Sequence, residues 1–234
     1  MDYKIKVLGN DKKVYEVSEF VVSGKTYKDA IGIIFGTPII GQRLLAFDSW
    51  TCKWGDTNSV LTEEHNEAQA VQILCGLEDT RRIVDAQKNL KGATAVYLCW
   101  NYGVGDLQWY LPSVMELGAL FLCRDEINEA MKQLECEEYN FLPTEYSENF
   151  FVWSSSEYNQ NDSWLVNFNS GSFISYFKGD THVVLAIAEF PHSTSPGLFS
   201  DEAKSKDTEI SDEELVTMLR ERGYSGELTK KILI

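Results

Sequence analysis

The chain predicts an α+β protein, with small twisted antiparallel sheets flanked by helices. Short runs rich in β-branched and aromatic residues, such as 151–155, 163–168 and 183–190, stand between Asn, Asp, Ser and Gly punctuation and read as strands. The middle of the chain carries apolar-periodic segments with start and stop signals, which read as helices. At 234 residues, with 44% hydrophobic and 12% aromatic content, the chain can bury a sizeable core.

In chain order, residues 3–22 predict a hairpin: a strand over 3–8, a turn at Gly9-Asn10-Asp11 and a second strand over 14–22. Strands follow at 30–35 and 44–47, with Gly36, Pro38 and Gly41 marking the turn between them. Thr62 reads as the cap of a helix with Glu63, Glu64 and Glu67 at its positive end. Ala68, Val71 and Leu74 form its apolar face, and Gly76 is its stop. A second, mostly apolar helix spans 93–100. Ser113 and Glu116 form a capping box for a third, with Leu117, Leu120 and Phe121 inward, and 125–134 is an amphipathic fourth. After Phe190 the composition turns to Pro, Ser, Thr and Gly, a polar linker over 193–210. Ser211-Asp212-Glu213-Glu214 then opens a short helix within the tail, 211–234, that ends at Gly223.

The tract between the last two strands does not alternate cleanly. Phe173, Ile174, Tyr176 and Phe177 lie among Ser, Gly, Asp and Lys, the mixture of rigid rings and adaptable polar groups found in binding surfaces. Two readings stand at this point: an exposed recognition surface, or a twisted hairpin whose rings fold back into the core.

Several functions are disfavoured. The net charge of −15 repels phosphate backbones and anionic lipid, which argues against nucleic-acid partners. No apolar run approaches the roughly 20 residues of a membrane span, and the opening residues lack a signal peptide's apolar stretch, so the protein is expected to be made in the cytoplasm and to insert in no membrane. Five cysteines without C-x-x-C spacing read as buried small hydrophobes rather than disulfide or zinc ligands. His65, His182 and His192 fit no hydrolase or metalloprotease motif, and Gly103-Val104-Gly105-Asp106 reads as a turn. Glu145, Glu148 and Glu157 read as solvating or capping groups, with Glu157 holding a loop. Asp162 and Asp180 alone do not make a calcium site. The expectation is a non-catalytic protein with no cofactor and no metal.

Trp109-Tyr110-Leu111-Pro112-Ser113 with Glu116-Leu117, then Trp153-Ser154-Ser155-Ser156-Glu157, Trp164, Val166-Asn167-Phe168 and Val184-Leu185-Ala186-Ile187 follow in a fixed order. That order resembles the bacterial and phage C-type-lectin-like domains of the DUF1566 and Fibrobacter major-paralogue group, over roughly residues 30–190. Leu185 and Ala188 stand where that group usually has arginines. The resemblance implies a C-type-lectin-like domain over 29–192, with 1–28 as an N-terminal hairpin element. The chain is most similar in texture to the variable proteins of diversity-generating retroelements, in which Asn codons are randomised at their adenines. Asn159, Asn161, Asn167 and Asn169 persist here, while Asp162, Leu165, Ser170, Ser172, Phe173, Ile174, Ser175, Tyr176, Phe177, Asp180 and His182 are all types reachable from an Asn codon. These fifteen positions are the expected ligand-binding surface. The resemblance implies a phage- or prophage-encoded receptor-binding protein with a bacterial surface protein or glycan as ligand, virion association, and a virion partner for the C-terminal tail. The alternatives are a structural virion or assembly protein and an enzyme-related cell-envelope protein of the same fold.

Overall fold

The computed structural model describes residues 3–55, 61–62, 65–86, 94–136 and 150–190. Met1–His192 forms one compact unit and Ser193–Ile234 a second. The expected linker and tail helix, and the carboxylates Glu145 and Glu148, lie outside the described residues.

The first unit is α+β with a mostly antiparallel sheet. Strands β1 (Lys6–Gly9) and β2 (Val14–Glu16) form the expected hairpin. The segment expected to continue as strand is instead helix α1 (Val17–Val22). Its β-branched residues favour a strand locally, but Val17, Phe20 and Val21 recur at helical spacing and all pack on one core, so tertiary burial overrides propensity. Strands β3 (Ala30–Thr37) and β4 (Gly41–Lys53) pair across a tight turn, and β4 runs well past the expected 44–47.

Helix α2 (Glu67–Ala70) is a single turn capped by Asn66, not by Thr62, and Leu74 is exposed rather than inward. Gly76 ends no helix: α3 (Leu77–Ala86) begins immediately after it, an element that the polar run Leu77–Ala86 hid. The next three helices match their signals. They are α4 (Ala95–Trp100), then α5 (Val114–Leu122) after the short strand β5 (Trp109–Tyr110), and α6 (Arg124–Gln133). Ser113 and Glu116 form the anticipated capping box on α5. The last four strands are β6 (Phe151–Glu157), β7 (Asp162–Asn167), β8 (Phe173–Phe177) and β9 (Thr181–Glu189); β8 is the tract that sequence pattern left unassigned.

Small separate sheets were expected, yet these nine strands join in one sheet of order β2-β1-β3-β4-β9-β6-β7-β8, with β5 also on β9. Long β9 links the parts, pairing with β4, β5 and, through one parallel bridge at Val152–Val183, with β6. Alternate residues feed two cores. Ile33, Leu45, Leu185 and Ile187 face α1, α5 and α6, while Ile34, Leu44, Val184 and Ala186 face α3 and α4. A sheet covered on both faces explains why Ala30–Thr37 reads as an apolar run without alternation. Trp109, Trp153, Trp164 and Phe168, the fixed frame of the sequence pattern, are all buried.

Candidate functional site

The expected binding tract becomes the end of the sheet. Strands β7 and β8 pair in a regular antiparallel register from Asp162–Phe177 to Val166–Phe173, with no bulge. Side chains therefore alternate between faces. Phe173, Ser175 and Phe177 lie on the face of α5, and Ile174 and Tyr176 on the other. Tyr176 and Phe177, 42% and 46% exposed, are thus on opposite sides of the sheet. They do not form the single contiguous patch that a common surface for Phe173, Tyr176 and Phe177 requires. Phe173 is half-buried against α5, with its ring beside Gly118, and Ile174 packs on the second core.

Leu165 is a clear correction: it is fully buried between Trp153 and Ile174 in the register, and belongs to the core rather than to a ligand surface. The Asn positions build turns. Asn159 Oδ1 accepts from the Asn161 and Asp162 backbone N–H at 2.7 and 2.8 Å, and its Nδ2 donates to Asp162 Oδ2. Asn167 Oδ1 accepts from Asn169 N–H at 2.8 Å, opening a turn in which Gly171 takes φ +73°. Asn159, Asn161, Asp162 and Asp180 lie at one end of the β7–β8 hairpin; Asn167, Asn169, Ser170 and Ser172 lie at the other, about 17 Å away for a strand of this length.

What the fold does bring together is a group of rings on one face. His182 lies 4.9 Å from Tyr176, 4.9 Å from Trp153 and 5.7 Å from Phe151, centroid to centroid, and Tyr176 stacks on Phe151 at 6.4 Å. Tyr176 reaches Phe151 and His182 although β7 stands between them in sheet order, so the β7–β8 hairpin curls over this face. Phe151 and Trp153 were not among the expected site residues. Both sit in strands read as scaffold, and nothing local in the sequence marks their approach to Tyr176. Burial lowers the pKa of His182, opposed by Asp180, and its buried Nε2 has no hydrogen-bond partner among the described residues.

A buried ion pair fastens this end of the sheet. Lys178 Nζ meets Glu157 Oε1 at 2.5 Å, both side chains fully buried, and stands 4.8 Å from the Trp54 ring centroid. Glu157 Oε2 accepts from the Leu61 and Thr62 backbone N–H and from Thr62 Oγ1. The expectation that Glu157 holds a loop is thereby realised, and Thr62 proves to be a ligand of that carboxylate. Lys178 was not foreseen, because a lone Lys in a polar turn reads as solvated. A second buried pair, Arg43 Nε to Glu116 Oε1 at 2.6 Å, joins β4 to α5, with Tyr110 Oη donating to the same oxygen at 2.8 Å. Both pairs are enclosed and tie elements of the frame together.

Cys52, Cys75 and Cys123 are half-buried rather than buried, while Cys99 and Cys136 are buried; all five are free thiols. Burial pushes Cys52 up to about 11 and Cys99 well above the usual thiol range, which keeps both protonated at neutral pH.

No protein-family model matches the chain, and no curated protein matches it. Among solved structures it is similar to a fimbrial protein from Bacteroides ovatus ATCC 8483, with a TM-score of 0.57 at 14% identity. The likeness covers 81% of this chain and 49% of that one, so the chain spans about half the length of the protein it resembles. At that identity the likeness shows the fold alone: an α+β unit built on a mostly antiparallel sheet. No helix among the described residues is long and apolar enough to cross a membrane.

Proposed function

We propose that the chain is a non-catalytic ligand-binding protein of C-type-lectin-like type, which recognises a bacterial surface protein or glycan through the sheet end formed by β7, β8 and the start of β9. The observation that carries this reading is the exposed Tyr176 ring, packed on Phe151 and His182 above the buried Trp153 at the rim of a doubly covered sheet. Such rings supply contact area at low entropic cost, and the neighbouring Ser, Asn and Asp supply adaptable hydrogen bonds. The ordered sequence blocks and the adenine-reachable residues of the tract support a phage- or prophage-encoded variable protein. A reverse transcriptase and an adenine-rich repeat beside the gene are the observation that checks this origin.

The binding test uses paired assays on one set of variants. Tyr176→Ala should leave the fold intact and lower stability by only about 1–2 kcal/mol, the loss of its ring contacts with Phe151 and His182. Binding to bacterial cells or to extracted surface material should fall about thirtyfold, the weight of a central aromatic anchor worth about 2 kcal/mol. Unchanged binding per folded molecule overturns the reading. A second reading, a structural subunit of a virion or surface appendage, draws on the fimbrial protein whose fold this chain shares. It predicts self-assembly and no loss of cell binding in Tyr176→Ala.

A further inference from the structure

The sheet has two ends, and they are built differently. At one end β2 is three residues long, includes Glu16 and follows Lys13, so charge and shortness blunt it. At the other end β8 is five residues, Phe173-Ile174-Ser175-Tyr176-Phe177, with no charged residue, no Pro and no bulge. Among the described residues no strand pairs with its outer side.

The direction of its main-chain groups follows from the register. Asn167 N–H bonds to Ser172 O, and Lys178 N–H to Asn161 O, at the two limits of the β7–β8 ladder. Bonded pairs alternate along an antiparallel ladder, so Ile174 and Tyr176 turn their N–H and C=O toward β7, as do the Ser172 carbonyl and the Lys178 N–H, while the Lys178 carbonyl accepts from Trp54 N–H at 3.1 Å. Phe173, Ser175 and Phe177 turn theirs outward. Among the described residues, only the Phe177 carbonyl of these outward groups has a bond of its own, from Asp180 N–H at 2.9 Å.

We infer that a second copy of this chain pairs antiparallel with β8, about a two-fold axis through Ser175, and extends the sheet into a symmetric dimer. The strand is nearly its own mirror in residue type: Phe, aliphatic, Ser, aromatic, Phe. On the α5 face the two-fold sets Phe173 against the partner copy's Phe177, and Ser175 against its counterpart. On the other face it sets Ile174 against Tyr176. Aromatic–aromatic and aromatic–aliphatic neighbours of this kind stabilise strand pairs. Ser175 exchanges both its bonds with its counterpart, and each Phe177 N–H reaches a Phe173 carbonyl. The remaining acceptor, Phe177 O, shares its second lone pair with the incoming Phe173 N–H.

Charge agrees with this occupant. Although the chain carries −15 overall, the paired segment brings no like charges face to face. Asp180 runs beyond the paired five residues, and Asp162 is set back by one strand on β7, about 10 Å from the incoming chain and near the screening length at physiological salt. Each copy has one such edge, so the contact closes on itself and makes a dimer rather than a fibre. The pairing bonds main-chain groups at the edge and places the partner copy's Ile174 beside Tyr176, without covering the sheet face on which Tyr176 meets Phe151 and His182, so it stands whether or not that face binds ligand. If it does, the dimer carries two ring groups side by side on one continuous sheet, and binds a repetitive surface with avidity.

A short edge contact is small, so the dimer is expected to be weak and concentration-dependent. Light scattering or sedimentation of the full 234-residue chain should show mass rising from one copy toward two with concentration, more readily as salt screens the net charge. Ser175→Pro removes an outward N–H without touching the β7 ladder, and Ser175→Lys places two cations on the axis. Each should weaken association at least tenfold with the melting temperature retained; should Ser175→Pro fail to fold, Ser175→Lys decides. Hydrogen exchange supplies the independent reading, with the Ser175 and Phe177 amides protected only at high concentration. A chain that stays monomeric throughout, or a dimer indifferent to both variants, overturns the inference.

Discussion

At the scale of single residues, the fates of His182 and Lys178 follow from what surrounds them. Burial lowers the His182 pKa below its ordinary value, so the unfolded chain takes up a proton at a higher pH than the native one. Stability therefore rises with pH where the unfolded state binds more protons, and falls as pH drops below about 6.5, the unperturbed histidine value. The loss of melting temperature between pH 7 and pH 5 should be smaller in His182→Asn than in the unaltered chain; equal losses would show that the ring is not desolvated. Lys178 is held by Glu157 with no exposure on either side. Lys178→Met leaves a buried carboxylate without its cation and should destabilise by about 3–5 kcal/mol, measured by urea unfolding. A cost below about 1 kcal/mol, the scale of a surface pair, would mean that water reaches the site.

At the scale of elements, several local signals are legible because their chemistry closes within a few residues, although the Thr62 cap and the Gly76 stop are not borne out. The Ser113–Glu116 capping box closes within one turn, so α5 was visible in the sequence. The β1–β2 turn and the strands around 33, 45, 153 and 165 were visible for the same reason. Elements fixed by distant partners were not. The Val17–Val22 segment is helical because Phe20 needs the core, α3 was hidden by its polar composition, and β8 was hidden because both its faces carry apolar residues. The site was legible as a segment but not as a surface, since the period of a strand sends Tyr176 and Phe177 to opposite faces, and Leu165 inward. The β7–β8 hairpin is also where a single change tests the element. Gly171 takes φ +73°, and a Cβ there would come within 2.6 Å of Phe121 Cε1, on the ring over which Arg124 sits. Gly171→Ala adds left-handed strain to that clash and should cost more than about 1 kcal/mol in chemical denaturation. A neutral result would mean that the turn relaxes and that α5 does not set the position of β8.

At the scale of the whole molecule, the two ends of the chain should respond to removal in opposite ways. A chain ending at His192 keeps the entire first compact unit, and should unfold at the same temperature as the 234-residue chain. Residues 1–28 look equally separable in sequence, as a hairpin preceding the ordered blocks, but the sheet says otherwise. Strand β1 lies between β2 and β3, pairing with both. Its Val7 belongs to one core and Leu8 to the other, and Phe20 of α1 is fully buried beside Val7. Losing three such side chains, at about 2–5 kcal/mol each, approaches or exceeds the whole stability of a typical domain, about 5–15 kcal/mol. It would also strip β3 to an open, uncharged apolar edge. The chain beginning at Asp29 should therefore lose its cooperative melting transition and aggregate, while the chain ending at His192 remains folded. Circular dichroism of the two truncations side by side decides the point: a cooperative transition in the first would show that the sheet closes without β1, and that the hairpin is an appended element rather than part of the core.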